Sequence, residues 1–129
     1  MRNALTGLSI AAFVFALAAP ALAKEETVTG KIVDMSCYNM DKTNNAGIDH
    51  KMPKGDTKDC AVACAKMGRP LALLTSDGKV YEISGTLAAD KNAKLIPHIS
   101  HTVAITGDTM DHGDGKLMIA ADNLKMVSK

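Results

Sequence analysis

The chain has 129 residues, with 15 Lys and Arg against 14 Asp and Glu and a formal net charge of +1. Two Phe, two Tyr and no Trp leave almost nothing on which bases could stack. A near-neutral, aromatic-poor chain of this length points to one small domain and argues against a nucleic-acid binder or a polybasic membrane-surface protein.

The N-terminus reads as an export signal. Arg2 gives a positive start, Leu8 to Ala19 is apolar, Pro20 breaks the stretch, and Ala21-Leu22-Ala23 is the small-x-small pattern of a signal-peptidase site. The apolar stretch is short for a bilayer span. We expect residues 1–23 to be a cleaved signal peptide, residues 24–129 a single domain without a stable membrane anchor, and the location to be the periplasm or the medium. Cleavage removes Arg2, Phe13 and Phe15 and leaves basic and acidic residues balanced at 14 each. The core must then be built from Val, Ile, Leu, Ala and Met.

Thr27–Asp34 is β-branched and alternating, as in a strand. Asn39 to Asp59 is a long polar stretch, of the kind that is functional, disordered or pinned by a crosslink. Asp59–Met67 reads as a helix, with Asp59 as N-cap, Gly68 as stop and Pro70 beyond. Leu71–Ser76 and Lys79–Ile83 flank Asp77-Gly78, the signal of a hairpin with a type I′ turn. Leu87–Ile96 is a helical or irregular connector ending at Pro97. His101–Asp111 and Lys116–Ala121 make a second hairpin around Gly113-Asp114-Gly115, and Asn123–Val127 is a strand tail. Five short strands with a helical connector between the third and fourth predict a mainly β fold. The expected form is a small five-stranded OB-like barrel with a helix-bearing insertion after strand 1, the alternative being a small open α+β sheet.

Val28–Asp34 with Cys37-Tyr38, then Cys60-Ala61-x-x-Cys64, Gly68-x-Pro70-Leu71, Leu73-Leu74-Thr75 and Asp77-Gly78-Lys79-Val80-Tyr81, resembles a group of small exported bacterial proteins of mostly unassigned function. The resemblance runs from about Val28 to Val127. It implies a small β-barrel with a cysteine-bearing insertion and supplies no reaction. In that pattern a His often stands three residues before the first Cys of the Cys-Ala-x-x-Cys element; here that position is Thr57.

Cys37, Cys60 and Cys64 are the sharpest chemical feature. Cys60 and Cys64, four apart, share one helix face, and Cys37 follows the first strand. Three thiolates suit Cu(I), Zn(II) or a heavy metal, with His50, Met52 or Met40 as a fourth ligand. A disulfide from Cys37 to Cys60 or Cys64 competes on nearly equal terms in an oxidising compartment. It would close a loop worth roughly 3 kcal/mol and leave one odd thiol. Cys60 with Cys64 fits disulfide geometry poorly. A redox-active thiol is a third reading, weakened because Cys-x-x-Cys is absent.

A second candidate lies on the second hairpin. With Asp114 at the turn centre, Met110 faces Met118 and His112 lies on the same side. If Val103, Ile105, Leu117 and Ile119 point inward, these three point outward, where thioether and imidazole suit Cu(I). The set is similar in kind to the Met/His sites of periplasmic copper-binding OB-fold proteins and lacks the Trp such a site can carry. Against this, a bulge at Gly107 would reverse the parity and bury both Met. His98 and His101 are expected on opposite sides of a strand, as surface residues. Asp41 to Met52 has the alternating oxygens of a calcium loop but carries Ala46 and Met52 where Gly and Glu are needed. No catalytic motif stands out. The sequence therefore predicts a non-enzymatic binding domain for copper or zinc. The alternative is a disulfide-stabilised structural domain that meets another exported protein.

Overall fold

The computed structural model describes residues 23–46, 50–51, 57–58 and 60–129, with the side chains at 50–51, 57–58 and 60 left aside. Strand β1 (Lys24–Asp34) is followed by helix α1 (Met35–Met40), the two-residue strands β2 (His50–Lys51) and β3 (Thr57–Lys58), and helix α2 (Cys60–Lys66). Then come β4 (Leu71–Leu74), β5 (Val80–Ser84), a 3-10 turn at Gly85–Ala88, the short helix α3 (Ala89–Asn92) and a second 3-10 turn at Ile96–His98. Strands β6 (Thr102–Asp111), β7 (Leu117–Ala120) and β8 (Leu124–Ser128) complete the chain.

The main sheet runs β1-β4-β5-β7-β6, and a β1–β6 pairing closes it into a five-stranded barrel. β5 and β7 are parallel and the other barrel pairs are antiparallel. This is the small OB-like barrel expected, with α1 and α2 in an insertion after β1. The two long strands each serve two neighbours. β1 pairs with β6 over Lys24–Lys31 and with β4 over Lys31–Asp34. β6 pairs with β1 over Thr102–Thr109 and with β7 over Asp108–Asp111. Glycine stands at both changes of partner because the backbones touch there. A Cβ on Gly30 would lie 2.5 Å from the Leu74 carbonyl oxygen, and one on Gly107 2.2 Å from that of Ala120.

Gly107 does not reverse the parity of β6. Its register with β1 runs unbroken from Lys24–Thr109 to Lys31–Thr102, and the register shift lies elsewhere, in β8, where Val103 pairs with Met126 and Thr102 with Ser128. Val103, Ile105 and Ile119 point into the core and are fully buried. The first hairpin differs from expectation. Thr75 and Lys79 pair through their backbones, and among Ser76, Asp77 and Gly78 only Gly78 has positive φ (84°). A type I′ turn needs two such residues; this is a three-residue loop with glycine in the left-handed position.

Ile32, Leu71, Leu73, Ile83, Leu87, Leu95, Ile99, Val103, Ile105 and Ile119 fill the barrel, and Ala61 and Ala65 of α2 plug one end. Helix α2 stops in a Schellman motif: Arg69 N–H donates to Cys64 O (3.1 Å) and Gly68 N–H to Ala65 O (2.9 Å). Asn92, buried and with φ of 62°, donates from Nδ2 to Ala65 O (3.1 Å) and Arg69 O (2.9 Å), tying that helix end to the connector. The expectation that Met helps fill the core is not met. No Met is among the buried core residues described, whereas Met40, Met67, Met110 and Met126 are exposed.

Candidate metal centre

The second hairpin is built to hold its outer face in one conformation. His112 N–H donates to Lys116 O (3.1 Å), Gly113 N–H to Asp111 Oδ1 (2.8 Å) and Lys116 N–H to Asp114 Oδ1 (3.1 Å). Lys116 also reaches Asp114 at 3.2 Å, and its hydrogen bond lowers the Asp114 carboxyl below the ordinary range. These bonds fix the register that seats Met110 directly opposite Met118. His112 Nε2 then lies 2.8 Å from Met118 Sδ. Met110 and His112 are exposed and Met118 is half-buried. Two thioethers and an imidazole thus share one accessible patch.

A neighbour missed in the sequence stands beside them. Glu82 of β5 is in register with Met118 across the parallel β5–β7 pair. It brings a carboxylate to the row Met110, Met118, Glu82. Only the parallel β5–β7 pairing creates this neighbour, and no local sequence pattern announces it.

The cysteine constellation is placed in part. Cys37 is buried on α1, and Cys64 is half-buried on α2. Cys60 and Cys64 occupy positions i and i+4 of that helix, but the Cys60 side chain lies outside what is described, and so does that of His50. Met52 falls outside the described residues altogether. Met40, the other proposed ligand, is 77% exposed at the end of α1. Among the described residues no disulfide is seen, and no group of three or more His, Cys, Asp or Glu is placed to hold a metal. Asp34, unremarked in the sequence, turns out to be the N-cap of α1. It is fully buried, its Oδ1 accepts from Cys37 N–H at 2.8 Å, and its Oδ2 has no hydrogen-bond partner. The signal was there in principle, since Asp directly after a strand and before a helix is a common cap.

His98 and His101 are not on opposite sides of a strand. Pro97 lies within a 3-10 turn and Ser100 takes φ of 71°, so the segment coils and residues three apart fall on one side. Their rings stand edge-to-face with centroids 6.2 Å apart.

No family model, curated protein or solved structure matches this chain.

Proposed function

We propose that this protein is an exported, non-catalytic binding domain for a soft transition metal, with cuprous ion held by Met110, Met118 and His112. One observation carries the reading: a cross-strand thioether pair on the outer face with the imidazole of His112 in contact with one sulfur. Thioether and imidazole are donors that favour Cu(I) over harder ions. The exposure of Met110 supports the reading, because a side chain used for packing would be turned inward. Glu82, in register with Met118, adds negative charge that favours a cation. The barrel's part is to present a rigid surface, and the accessible patch suits capture and hand-over of the ion. Export to the periplasm or medium belongs to the same proposal and rests on the signal-like N-terminus.

The test is titration of the purified protein with Cu(I) against a chromophoric competitor under argon. The expected result is one ion bound at the hairpin with sub-micromolar affinity, weakened about tenfold or more (≥1.4 kcal/mol) in Met110→Leu/Met118→Leu. If the double variant binds as the parent does, while Cys60→Ala/Cys64→Ala loses the ion, the hairpin is the wrong site. If the parent binds no tighter than micromolar, the metal reading falls.

A further inference from the structure

Tyr81 and Ile83 pack into the core, so alternation along β5 turns Glu82 to the outer face, where it is half-buried. It belongs to a register row that crosses the barrel: Ala72 on β4, Glu82 on β5, Met118 on β7 and Met110 on β6. On the β4 side its neighbour is the fully buried Ala72, which offers only a methyl group. On the β7 side it meets a thioether. Neither can pair with a carboxylate. Among the described residues no ion pair or side-chain hydrogen bond engages Glu82. Taking a carboxylate partly out of water without a partner costs stability, so its place in this row calls for a ligand.

We propose that the hairpin patch also takes a cupric ion, held by the Glu82 carboxylate and the His112 imidazole on either side of Met118. Neighbouring strands stand about 4.8 Å apart, which lets side chains in register reach one ion. Glu82 comes to Met118 from β5. His112 comes from the β6 side, with Nε2 2.8 Å from Met118 Sδ. The patch therefore offers two donor sets over one thioether. Sulfur and imidazole suit Cu(I), whereas nitrogen and oxygen in a tetragonal arrangement suit Cu(II). Exposure of the patch lets water complete the cupric coordination. The donor count then picks the metal. Among the described residues no third His, Cys, Asp or Glu joins the pair, so the closed four-ligand site of structural zinc is not formed. Of the first-row divalent ions, Cu(II) is the one that two such donors hold most tightly. No electron moves in this scheme. The oxidation state of the arriving ion decides whether the two thioethers or Glu82 are used, with His112 common to both. This second specificity presupposes the hairpin patch as the copper site.

The test pairs two titrations of the purified protein, Cu(II) in air and Cu(I) under argon, each against a chelating competitor. Electron paramagnetic resonance of the Cu(II) sample is expected to show one tetragonal centre with nitrogen and oxygen donors. Glu82→Gln should weaken Cu(II) by about tenfold or more and Cu(I) by a smaller factor. Met110→Leu/Met118→Leu should do the reverse, and His112→Gln should weaken both. Glu82→Asp, which keeps a carboxylate, should recover part of the lost Cu(II) affinity. Far-ultraviolet dichroism checks that each variant is folded. If Cu(II) affinity and its resonance spectrum are the same in Glu82→Gln as in the parent, the cupric site is wrong, and the Cu(I) reading is judged on its own titration. If Glu82→Gln weakens both ions equally, the carboxylate acts only as a general charge and the second specificity is refuted. If Cu(I) fails to bind at the hairpin while Cu(II) binding depends on Glu82 and His112, the cuprous reading falls and the cupric site stands alone.

Discussion

The two ends of the barrel are held by different means. At the hairpin end, short-range rules do most of the work. Asp and Gly shape the turn, backbone pairing sets the register, and parity alone decides that Val103 and Ile105 go in while Met110 goes out. At the helix end, side chains reach across long stretches of sequence. Asn92 bonds to carbonyls of α2, Asp34 caps α1, and the segment around His101 is tied to Ile32. The difference teaches where a mutation should hurt stability and where it should hurt only binding.

Gly107→Ala should have the largest effect on folding. The new Cβ would press on the Ala120 carbonyl oxygen at 2.2 Å and on the Ala121 Cβ at 2.7 Å. One is strand backbone and the other a single-carbon side chain, so neither can swing away. A loss of about 3 kcal/mol is expected from such overpacking. Urea denaturation measures it, and a loss below about 1 kcal/mol would mean that the end of β7 can give way to the added carbon.

Asn92→Ala should come next, at about 2–3 kcal/mol. It strips the Ala65 and Arg69 carbonyls of a shared donor in a buried setting. It also puts Ala at φ of 62°, which Asn tolerates better. Asn92→Asp separates the two causes: it keeps a residue at ease with positive φ but removes the amide donor. If that variant is as stable as the parent, the conformational preference and not the hydrogen bonds holds the helix end. Met110→Leu/Met118→Leu sits at the other extreme. On an outer face it should change the unfolding free energy by less than about 0.5 kcal/mol while weakening Cu(I). A large loss of stability would show that these side chains serve packing after all.

The barrel was legible because its strands alternate, its turns carry Gly and Asp, and their order along the chain admits few closures. Met110 facing Met118 was legible for the same reason, being a matter of counting from a turn. The turn at Ser76–Gly78 was misjudged because Asp-Gly suits both a two-residue turn and a three-residue loop with glycine third; the pairing of Thr75 with Lys79 chooses the latter. His98 and His101 were misplaced because a strand was continued backward through Pro97, where a 3-10 turn and the positive φ at Ser100 coil the chain instead. Glu82 beside Met118 depends on a parallel pairing between strands separated by the whole connector, and a local pattern carries no trace of it. Gly107 invites a bulge on sequence grounds, but the register shift lies between Thr102 and Val103. A Gly in a strand marks a close approach without saying which strand carries the extra residue.

The smallest effect concerns acid. Both hairpin turns rest on an aspartate whose carboxyl is lowered from its ordinary value, Asp77 chiefly by the hydroxyl of Thr75 and Asp114 chiefly by Lys116. Both groups are exposed, so solvent screens what they contribute. The direction is nonetheless fixed. A carboxyl titrating lower in the folded chain stabilises it above the ordinary aspartate value near 3.9, and that contribution disappears as pH falls through the lowered value. Asp77→Asn/Asp114→Asn should therefore unfold at slightly lower urea than the parent at pH 6, and the two curves should draw together as pH falls below the ordinary aspartate range. Persistence of the full difference in acid would show that the carboxylates act through turn geometry, which protonation leaves in place, and not through charge. Because Asp114 closes the loop that sets Met110 against Met118, the same pair of pH values should also be run with Cu(I) bound. Convergence of stability without convergence of affinity would separate the turn's charge from the register it maintains.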